Sequence, residues 1–160
     1  MKTKWKWMLL GVLVAGFLLL QLTNRPRTNP AAPPGDALTA ANAPPPQIVA
    51  LLQGACYDCH SDQTRWPWYS HVAPVSWLIA SDVRDGRRHV NFSEWPHTDP
   101  GRAARLWEDV SEELGYNEMP PSQYKLMHSA ARLTAAQRQE LIHYADQEAK
   151  RLKTVAATAQ

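Results

Sequence analysis

Residues 55–62 read ACYDCHSD and contain both cysteines of this 160-residue chain. Cys56 and Cys59 are three positions apart, and His60 follows the second cysteine directly. Three uses of such a pattern compete: a disulfide, a metal site and the covalent attachment of a haem. The choice between them decides what the fold is built around.

The spacing favours haem attachment. Two thiols three residues apart lie on one side of a helical turn, where they can add to the two vinyl groups of one haem. His60 is then carried under the ring, where its imidazole can bind the iron. C-x-x-C-H is the pattern of c-type haem attachment. We therefore predict one covalent haem c, with Cys56 and Cys59 as attachment points and His60 as an iron ligand.

The rival uses explain less of the pattern. A dithiol–disulfide enzyme is expected to show a βαβ context around C-x-x-C, and none is visible. A structural zinc needs two further ligands, for which His71 or another histidine would have to be recruited. A plain disulfide leaves His60 unexplained.

Met119, in GYNEMPPSQY, is the main candidate for the second axial ligand. Pro120 disfavours the helical region for the residue before it, so Met119 is expected on an extended loop, free to point inward. A thioether suits iron and raises its potential relative to a second imidazole. Core packing is the alternative role for Met119, and Met127, beside a predicted helix start, is expected to pack in that way. The remaining histidines are further candidates: His71, His89, His97, His128 and His143.

An apolar run, WMLLGVLVAGFLLLQL, extends from Trp7 to Leu22. With Trp5 it comes to about 18 residues, just within the length that spans a bilayer. A cleaved signal peptide is the alternative, but its apolar core is usually shorter and is followed by a small-x-small site. TNRPRTNPAAPP has no such site close to the run. We therefore predict an uncleaved membrane anchor over residues 1–23.

The charges beside the run predict its orientation. Lys2, Lys4, Lys6 and the terminal amine precede it, whereas Arg25 and Arg27 follow it. The positive-inside rule then keeps the N-terminus in the cytoplasm and sends the rest outward, although the two arginines oppose this.

The composition changes between residues 24 and 46, where seven of the chain's 13 prolines lie among Ala, Asn and Thr. Such a segment buries too little apolar surface to fold, and its prolines keep it extended. We predict a linker over 24–46 that holds a domain, residues 47–153, off the membrane and lets it swing between partners. A short tail, 154–160, follows.

The charge of the domain gives no sign of a nucleic-acid partner. Residues 47–160 carry 12 basic and 14 acidic side chains, so there is no basic patch for nucleic acid. Arg87 and Arg88, although adjacent, are expected in a solvated turn.

Apolar periodicity predicts helices. GRAARLWEDVSEELG (101–115) and LTAAQRQELIHYADQEAKRL (133–152) place apolar residues at i, i+3, i+4 and i+7. Gly115 is placed to end the first, and Thr134 can cap the second with Gln137. PQIVALLQGAC (46–56), with Pro46 in the first turn, and PVSWLIASDVRDG (74–86) are weaker candidates. The expected fold class is all-α, with a small core that a bound cofactor would help to stabilise.

The stretch RWPWYSHVAPVSW, residues 65–77, is rich in large rings. A haem needs an apolar wall and a few donors for its propionates, and indole, phenol and guanidinium groups can serve. The alternative is that the rings form the core of a small domain. Trp95 is expected either to close the pocket or to pack elsewhere. The candidates for the haem surroundings are Arg65, Trp66, Trp68, Tyr69 and Trp77.

Three blocks together resemble the haem-binding-domain family of bacterial c-type cytochromes: CYDCHSDQTRWPWYS, APVSWLIASDVRDGRRHVNFSEW and NEMPPSQYKLMH. The resemblance covers roughly residues 50–145. It implies a small cytochrome c-like helical domain around one haem, with Cys56 and Cys59 as the thioether positions, His60 as the proximal ligand and Met119 as the distal one. It also implies export across the bacterial inner membrane, which places the domain in the periplasm.

Two functions follow as expectations. The first is a non-enzymatic, membrane-tethered electron carrier that exchanges electrons with redox proteins of a respiratory or periplasmic chain. The second is a haem-based sensor or peroxidase-like protein in which the sixth position is open or Met119 is displaceable. No distal acid–base pair is identifiable, which disfavours an enzyme.

Overall fold

A computed structural model describes residues 2–23, 25–31, 37–96 and 99–159. Within these ranges the chain forms helices and no strand, which confirms the all-α prediction. Short 3₁₀ helices lie at Gln21–Thr23, Trp68–His71 and Ser129–Ala131. The α-helices are α1 (Lys2–Leu20), α2 (Leu38–Asn42), α3 (Pro46–Ala55), α4 (Tyr57–His60), α5 (Val75–His89), α6 (Pro100–Gly115), α7 (Ser122–Met127) and α8 (Ala135–Thr158).

The N-terminal helix is apolar on all sides after its first turns, which contain Lys2, Lys4 and Lys6. The span Thr3–Thr23 is long and apolar enough to cross a membrane, and none of it is buried against the rest of the chain. A helix without a polar face has no side suited to water, unlike the surface helices of a globular domain. Among the described residues, one helix is thus long and apolar enough to cross a membrane.

The core of the domain centres on three aromatic residues. Trp95 and Trp107 have ring centroids 5.1 Å apart, and Phe92 lies 5.9 Å from Trp95. Tyr57, inside the C-x-x-C-H motif, stacks on Phe92 with centroids 5.3 Å apart. The motif is thus built onto the core through Tyr57, and Trp95 packs inside the protein.

α6 and α8, the two longest helices after the N-terminal α1 is set aside, pack on each other along their predicted apolar faces. Asp99 caps α6 by accepting a bond from the backbone N–H of Arg102 at 2.8 Å. Thr134 and Gln137 form the predicted capping box of α8. α8 continues to Thr158, five residues beyond the predicted domain end, since KTVAAT contains no glycine or proline to stop it.

The weaker helix predictions are also confirmed. α3 begins at Pro46 and runs to the first cysteine, and α5 covers Val75–His89. Pro46 is at a first-turn position, where its missing N–H leaves no bond unmade.

Part of the predicted linker contacts the domain. Leu38 is fully buried in the core, and its backbone N–H donates to Phe92 O at 2.8 Å. Closer to the N-terminus, Asn29 Nδ2 donates to Thr64 O at 2.8 Å. Residues on both sides of the undescribed stretch 32–36 are therefore held by the domain, and the folded unit includes chain that precedes residue 47.

Candidate functional site

Both cysteines and the histidine lie at the junction of α3 and α4. Cys56 follows the last residue of α3, and its carbonyl oxygen accepts from the N–H groups of Cys59 at 3.1 Å and His60 at 2.9 Å. These bonds wind the motif into a helical turn, as predicted from its spacing. Both thiols are free, so the pair is not joined as a disulfide.

The imidazole of His60 is held by two backbone carbonyls. Its Nδ1 lies 3.0 Å from Gly86 O and 3.2 Å from Val90 O, both at the end of α5. Carbonyls only accept, so Nδ1 carries the proton and Nε2 keeps its lone pair. Burial lowers the pKa of His60, which also favours the neutral ring. The arrangement is that of a histidine oriented to bind a metal through Nε2.

Gly86 brings α5 against the motif more closely than any other residue type would allow. A β-carbon built on Gly86 would lie 2.6 Å from Cys59 O and 3.2 Å from Cys59 Cβ. The missing side chain is what permits the carbonyl of Gly86 to reach the imidazole of His60. No sequence pattern predicts this role, apart from the presence of one glycine inside a predicted helix.

The two thiols are protonated at neutral pH. Burial, with a contribution from the neighbouring Cys59, raises the pKa of Cys56 to about 12. Burial and the charges of Asp82 and Asp58 raise the pKa of Cys59 to about 12. Thiol–disulfide exchange depends on the thiolate, and redox-active C-x-x-C pairs lower a thiol pKa instead. The site therefore lacks the electrostatics of a dithiol enzyme.

Asp58, between the cysteines, is a buried carboxylate with several donors. Arg65 donates from its backbone N–H at 3.0 Å and from Nε at 3.1 Å, and Tyr124 Oη donates at 2.7 Å. Burial alone would raise the pKa of Asp58, but the bonds from Arg65 and Tyr124 and the Arg65 charge outweigh it and lower the pKa. Asp58 thus ties the motif to the loop after it and to α7.

Arg65 was predicted to donate to a haem propionate. Its guanidinium forms a salt bridge with Asp58, and its side chain is 68% exposed. Near it is a cleft of about 470 Å³. Cys56, Cys59 and His60 are absent from its walls. The cleft is lined by Gly54, Asp58, Arg65, Trp66, Pro67, Met127, His128, Ser129 and Ala130.

His128 stacks on Tyr124, with ring centroids 3.9 Å apart. Its Nδ1 lies 3.0 Å from Tyr124 O, and its Nε2 lies 3.2 Å from Tyr69 Oη. Both ring nitrogens therefore have protein partners. Tyr69, predicted beside the haem, is joined through His128 to the residue that bonds Asp58.

The tryptophans of the aromatic stretch have different partners. The Trp66 indole donates to Asn29 Oδ1 at 3.1 Å, and the Trp77 indole donates to Thr23 O at 3.1 Å. Trp68 is 76% exposed. Trp66 and Trp77 thus contact the chain that follows α1.

Met119 lies half-buried in the loop between α6 and α7. Its carbonyl accepts from Arg138 Nη1 at 3.1 Å, and its N–H donates to Glu113 O at 3.3 Å. Arg138 also donates to Leu114 O at 3.2 Å, which joins the loop to both long helices. Met127 was predicted to pack in the core, and this is wrong: it is the last residue of α7, a helix without buried residues, and is 61% exposed.

Arg87 also differs from its prediction as part of a solvated turn. Its side chain is only 15% exposed. Its Nε donates to Ser61 O at 2.8 Å and its Nη2 to Thr64 Oγ1 at 2.9 Å, with Asp62 3.5 Å away. The last turn of α5 faces the loop after the motif, so Arg87 binds that loop. Arg88, in contrast, is exposed and pairs with Asp85.

Among the other histidines, His89 is the last residue of α5 and directly precedes Val90, whose carbonyl lies 3.2 Å from His60 Nδ1. The side chains of His71, His89 and His143 are exposed. On α8, Gln147 Nε2 donates to His143 Nε2 at 2.8 Å. His97 lies outside the described residues. Across the described ranges, no group of three or more His, Cys, Asp and Glu side chains is placed to hold a metal ion, so the extra zinc ligands do not come together there.

The comparisons identify the class of protein. The model of the Haem-binding domain family matches residues 15–147, from within α1 to within α8, and this range includes the whole C-x-x-C-H motif. The protein is therefore a haem protein, and the chain belongs to the Haem-binding domain family. Comparison with curated proteins and with solved structures gives no match.

Proposed function

We propose that the protein is a membrane-tethered mono-haem c-type cytochrome that carries electrons in the periplasm. The proposal is carried by the arrangement around His60. Its Nδ1 lies within hydrogen-bond distance of Gly86 O and Val90 O, and the two free thiols belong to the same motif. This donor set suits a covalently attached haem: two neutral thiols for thioether bonds and one oriented imidazole nitrogen for the iron.

Each residue then has a distinct role. Cys56 and Cys59 hold the haem, His60 binds its iron through Nε2, and Met119 supplies the second axial ligand. When bound, the haem iron takes up and releases one electron. Carbonyl bonds to Nδ1 keep the His60 ring from rotating and increase its basicity as a ligand.

The Met119 assignment is supported by how its backbone is held. Arg138 Nη1 donates to the carbonyls of Leu114 and Met119, so one guanidinium joins α8 to the last turn of α6 and to the loop that carries the methionine. A ligand on a braced loop stays in place when the charge of the iron changes, which suits an electron carrier better than a sensor or a peroxidase.

The apolar helix α1 supports the tether. We propose that it is retained as a single-pass anchor in the bacterial inner membrane, with the domain in the periplasm. The partners would be redox proteins of the respiratory or periplasmic electron-transfer chain, and no nucleic acid is involved.

Haem attachment is tested on the full chain, produced together with a c-type haem maturation system. We expect the denatured wild-type chain to retain the mass of one haem, and the Cys56→Ala, Cys59→Ala double variant to retain none. The matched control is Ser129→Ala, an exposed site, which should retain one haem. A wild-type chain that releases its haem on denaturation contradicts covalent attachment.

Axial ligation is tested by comparing the absorption spectra of the wild type and Met119→Leu. We expect a weak far-red sulfur-to-iron band in the oxidised wild type that is absent from the variant. Reduced Met119→Leu should bind carbon monoxide, whereas the reduced wild type should not. Rapid carbon monoxide binding by the wild type would contradict the carrier and support sensing or peroxidase-like chemistry.

A further inference from the structure

We propose that the domain does not swing freely on its linker, and that one face of it rests on the membrane surface. This face consists of three exposed apolar side chains, Trp68, Val75 and Leu78. The proposal rests on the membrane anchor of the proposed function and goes beyond it by naming the surface of the domain that contacts lipid.

The end of the apolar span is bonded directly to the domain. Gln21 Oε1 accepts from the backbone N–H of Ala73 at 2.9 Å, and Gln21 Nε2 donates to the carbonyl of Ala73 at 3.3 Å. The Trp77 indole donates to Thr23 O at 3.1 Å. Trp77, which directly precedes Leu78, is thus bonded to Thr23, the last residue of the span.

The length of the span places these contacts at the membrane surface. The 21 residues Thr3–Thr23 cover about 30 Å at helical rise, which is the thickness of the hydrocarbon core. Gln21 and Thr23 then lie at the level of the lipid headgroups. Since none of the span is buried against the domain, the domain lies beyond its end and not alongside it. Trp77, which bonds Thr23, then lies at the membrane–water interface, where indole side chains are enriched.

The exposed apolar side chains are next to this junction. Val75 and Leu78 are 44% and 53% exposed, and they are three residues apart on α5, on one side of its first turn. Trp68, 76% exposed, is in the 3₁₀ helix that packs on α5. Large apolar side chains clustered on a small domain mark a contact surface. Because this surface adjoins the end of the membrane anchor, we infer that lipid covers it.

The chain after α1 is held down as well. Arg27 Nη1 donates to Ser70 O at 3.1 Å, and Arg87 Nη1 donates to Thr28 O at 2.9 Å. Residues 27 and 28 therefore follow the domain surface from its first contact with the anchor. Within the described residues 25–31, the chain after the anchor is therefore bonded to the domain at Arg27 and Thr28.

The test uses the full, haem-loaded chain in lipid vesicles, with p-benzoylphenylalanine placed at one position at a time. Leu78 and Val75 probe the proposed face. Val155 is the matched control for Val75, because it is also a valine and is 43% exposed. It lies on a different helix, α8, which packs on α6. Leu13, within the span, reports the anchor alone. After illumination, lipid adducts are counted by mass spectrometry, and the haem spectrum verifies folding.

We expect adducts at Leu13, Val75 and Leu78, with yields at Val75 and Leu78 several-fold above the yield at Val155. Adducts at Leu13 without any excess at Val75 and Leu78 would overturn the membrane-contacting face while leaving the anchor in place. A lack of adducts at Leu13 would overturn the anchor and the face together. Equal yields at Val75 and Val155 would also overturn the face, because contact would then be unspecific.

Discussion

A β-carbon on Gly86 would lie 2.6 Å from the carbonyl oxygen of Cys59. The same glycine presents its own carbonyl to His60 Nδ1 at 3.0 Å. One residue on α5 therefore sets both how closely that helix approaches the C-x-x-C-H turn and how the imidazole is oriented.

We predict that Gly86→Ala destabilises the protein and perturbs the haem site. The added methyl group must displace backbone, not a flexible side chain, and such overpacking costs about 1–3 kcal/mol. That cost is at least as large as the helix propensity gained on replacing glycine by alanine, about 1 kcal/mol. The measurement is urea denaturation of the haem-loaded full chain, together with its absorption spectrum.

Gly115→Ala is the control for this substitution. Gly115 also lies in a helix, and a β-carbon there would meet nothing within 4 Å. Its variant should be as stable as the wild type or slightly more stable. If the Gly86 and Gly115 variants behave alike, the close approach of α5 does not constrain the site.

We predict that Arg138→Ala loosens the Met119 loop. The variant loses two charge-assisted bonds to backbone carbonyls, each worth about 1.5–3 kcal/mol. The expected readout is a weaker sulfur-to-iron band and the appearance of carbon monoxide binding in the reduced protein. Arg132→Ala is the matched control, because Arg132 likewise donates to two carbonyls, Lys125 O and Leu126 O.

The Arg132 variant should lose some stability but keep the spectrum of the wild type. A wild-type spectrum in the Arg138 variant as well would show that Arg138 does not position Met119 as an iron ligand.

We predict that Tyr124→Phe destabilises the domain by about 1–2 kcal/mol, since a buried carboxylate loses a donor. The ring can keep its stacking on His128, so the change isolates the hydroxyl. Thermal unfolding of the haem-loaded chain measures the effect. Tyr116→Phe, at a 71% exposed tyrosine, should be neutral. Equal melting temperatures for all three proteins would argue against a structural role for the Asp58–Tyr124 bond.

We predict that Leu38→Ala destabilises the domain by about 2–5 kcal/mol, as for other fully buried leucines. Leu126→Ala, at a 73% exposed leucine, should change the stability little. Chemical denaturation of both variants tests whether chain before residue 47 belongs to the folded unit. A neutral Leu38 variant would return this segment to the role of a linker.

Much of the architecture was predictable because it depends on local patterns. Apolar spacing identified α6 and α8, and Thr134 with Gln137 identified the cap of α8. The path of the segment before residue 46 was not predictable in this way. Its composition is typical of an extended linker, and only the tertiary structure shows that Leu38 is buried in the core and that its N–H donates to Phe92 O.

The sequence by itself determined the all-helical class, the apolar N-terminal span and the C-x-x-C-H turn, because each depends on residues close together in the chain. Tertiary structure alone decided what surrounds that turn. Gly86 reaches Cys59 and His60, Arg87 binds the loop after the motif, and Gln21 meets Ala73. These contacts join residues 26 to 52 positions apart, and no local periodicity records which distant backbone groups a fold brings within hydrogen-bond distance.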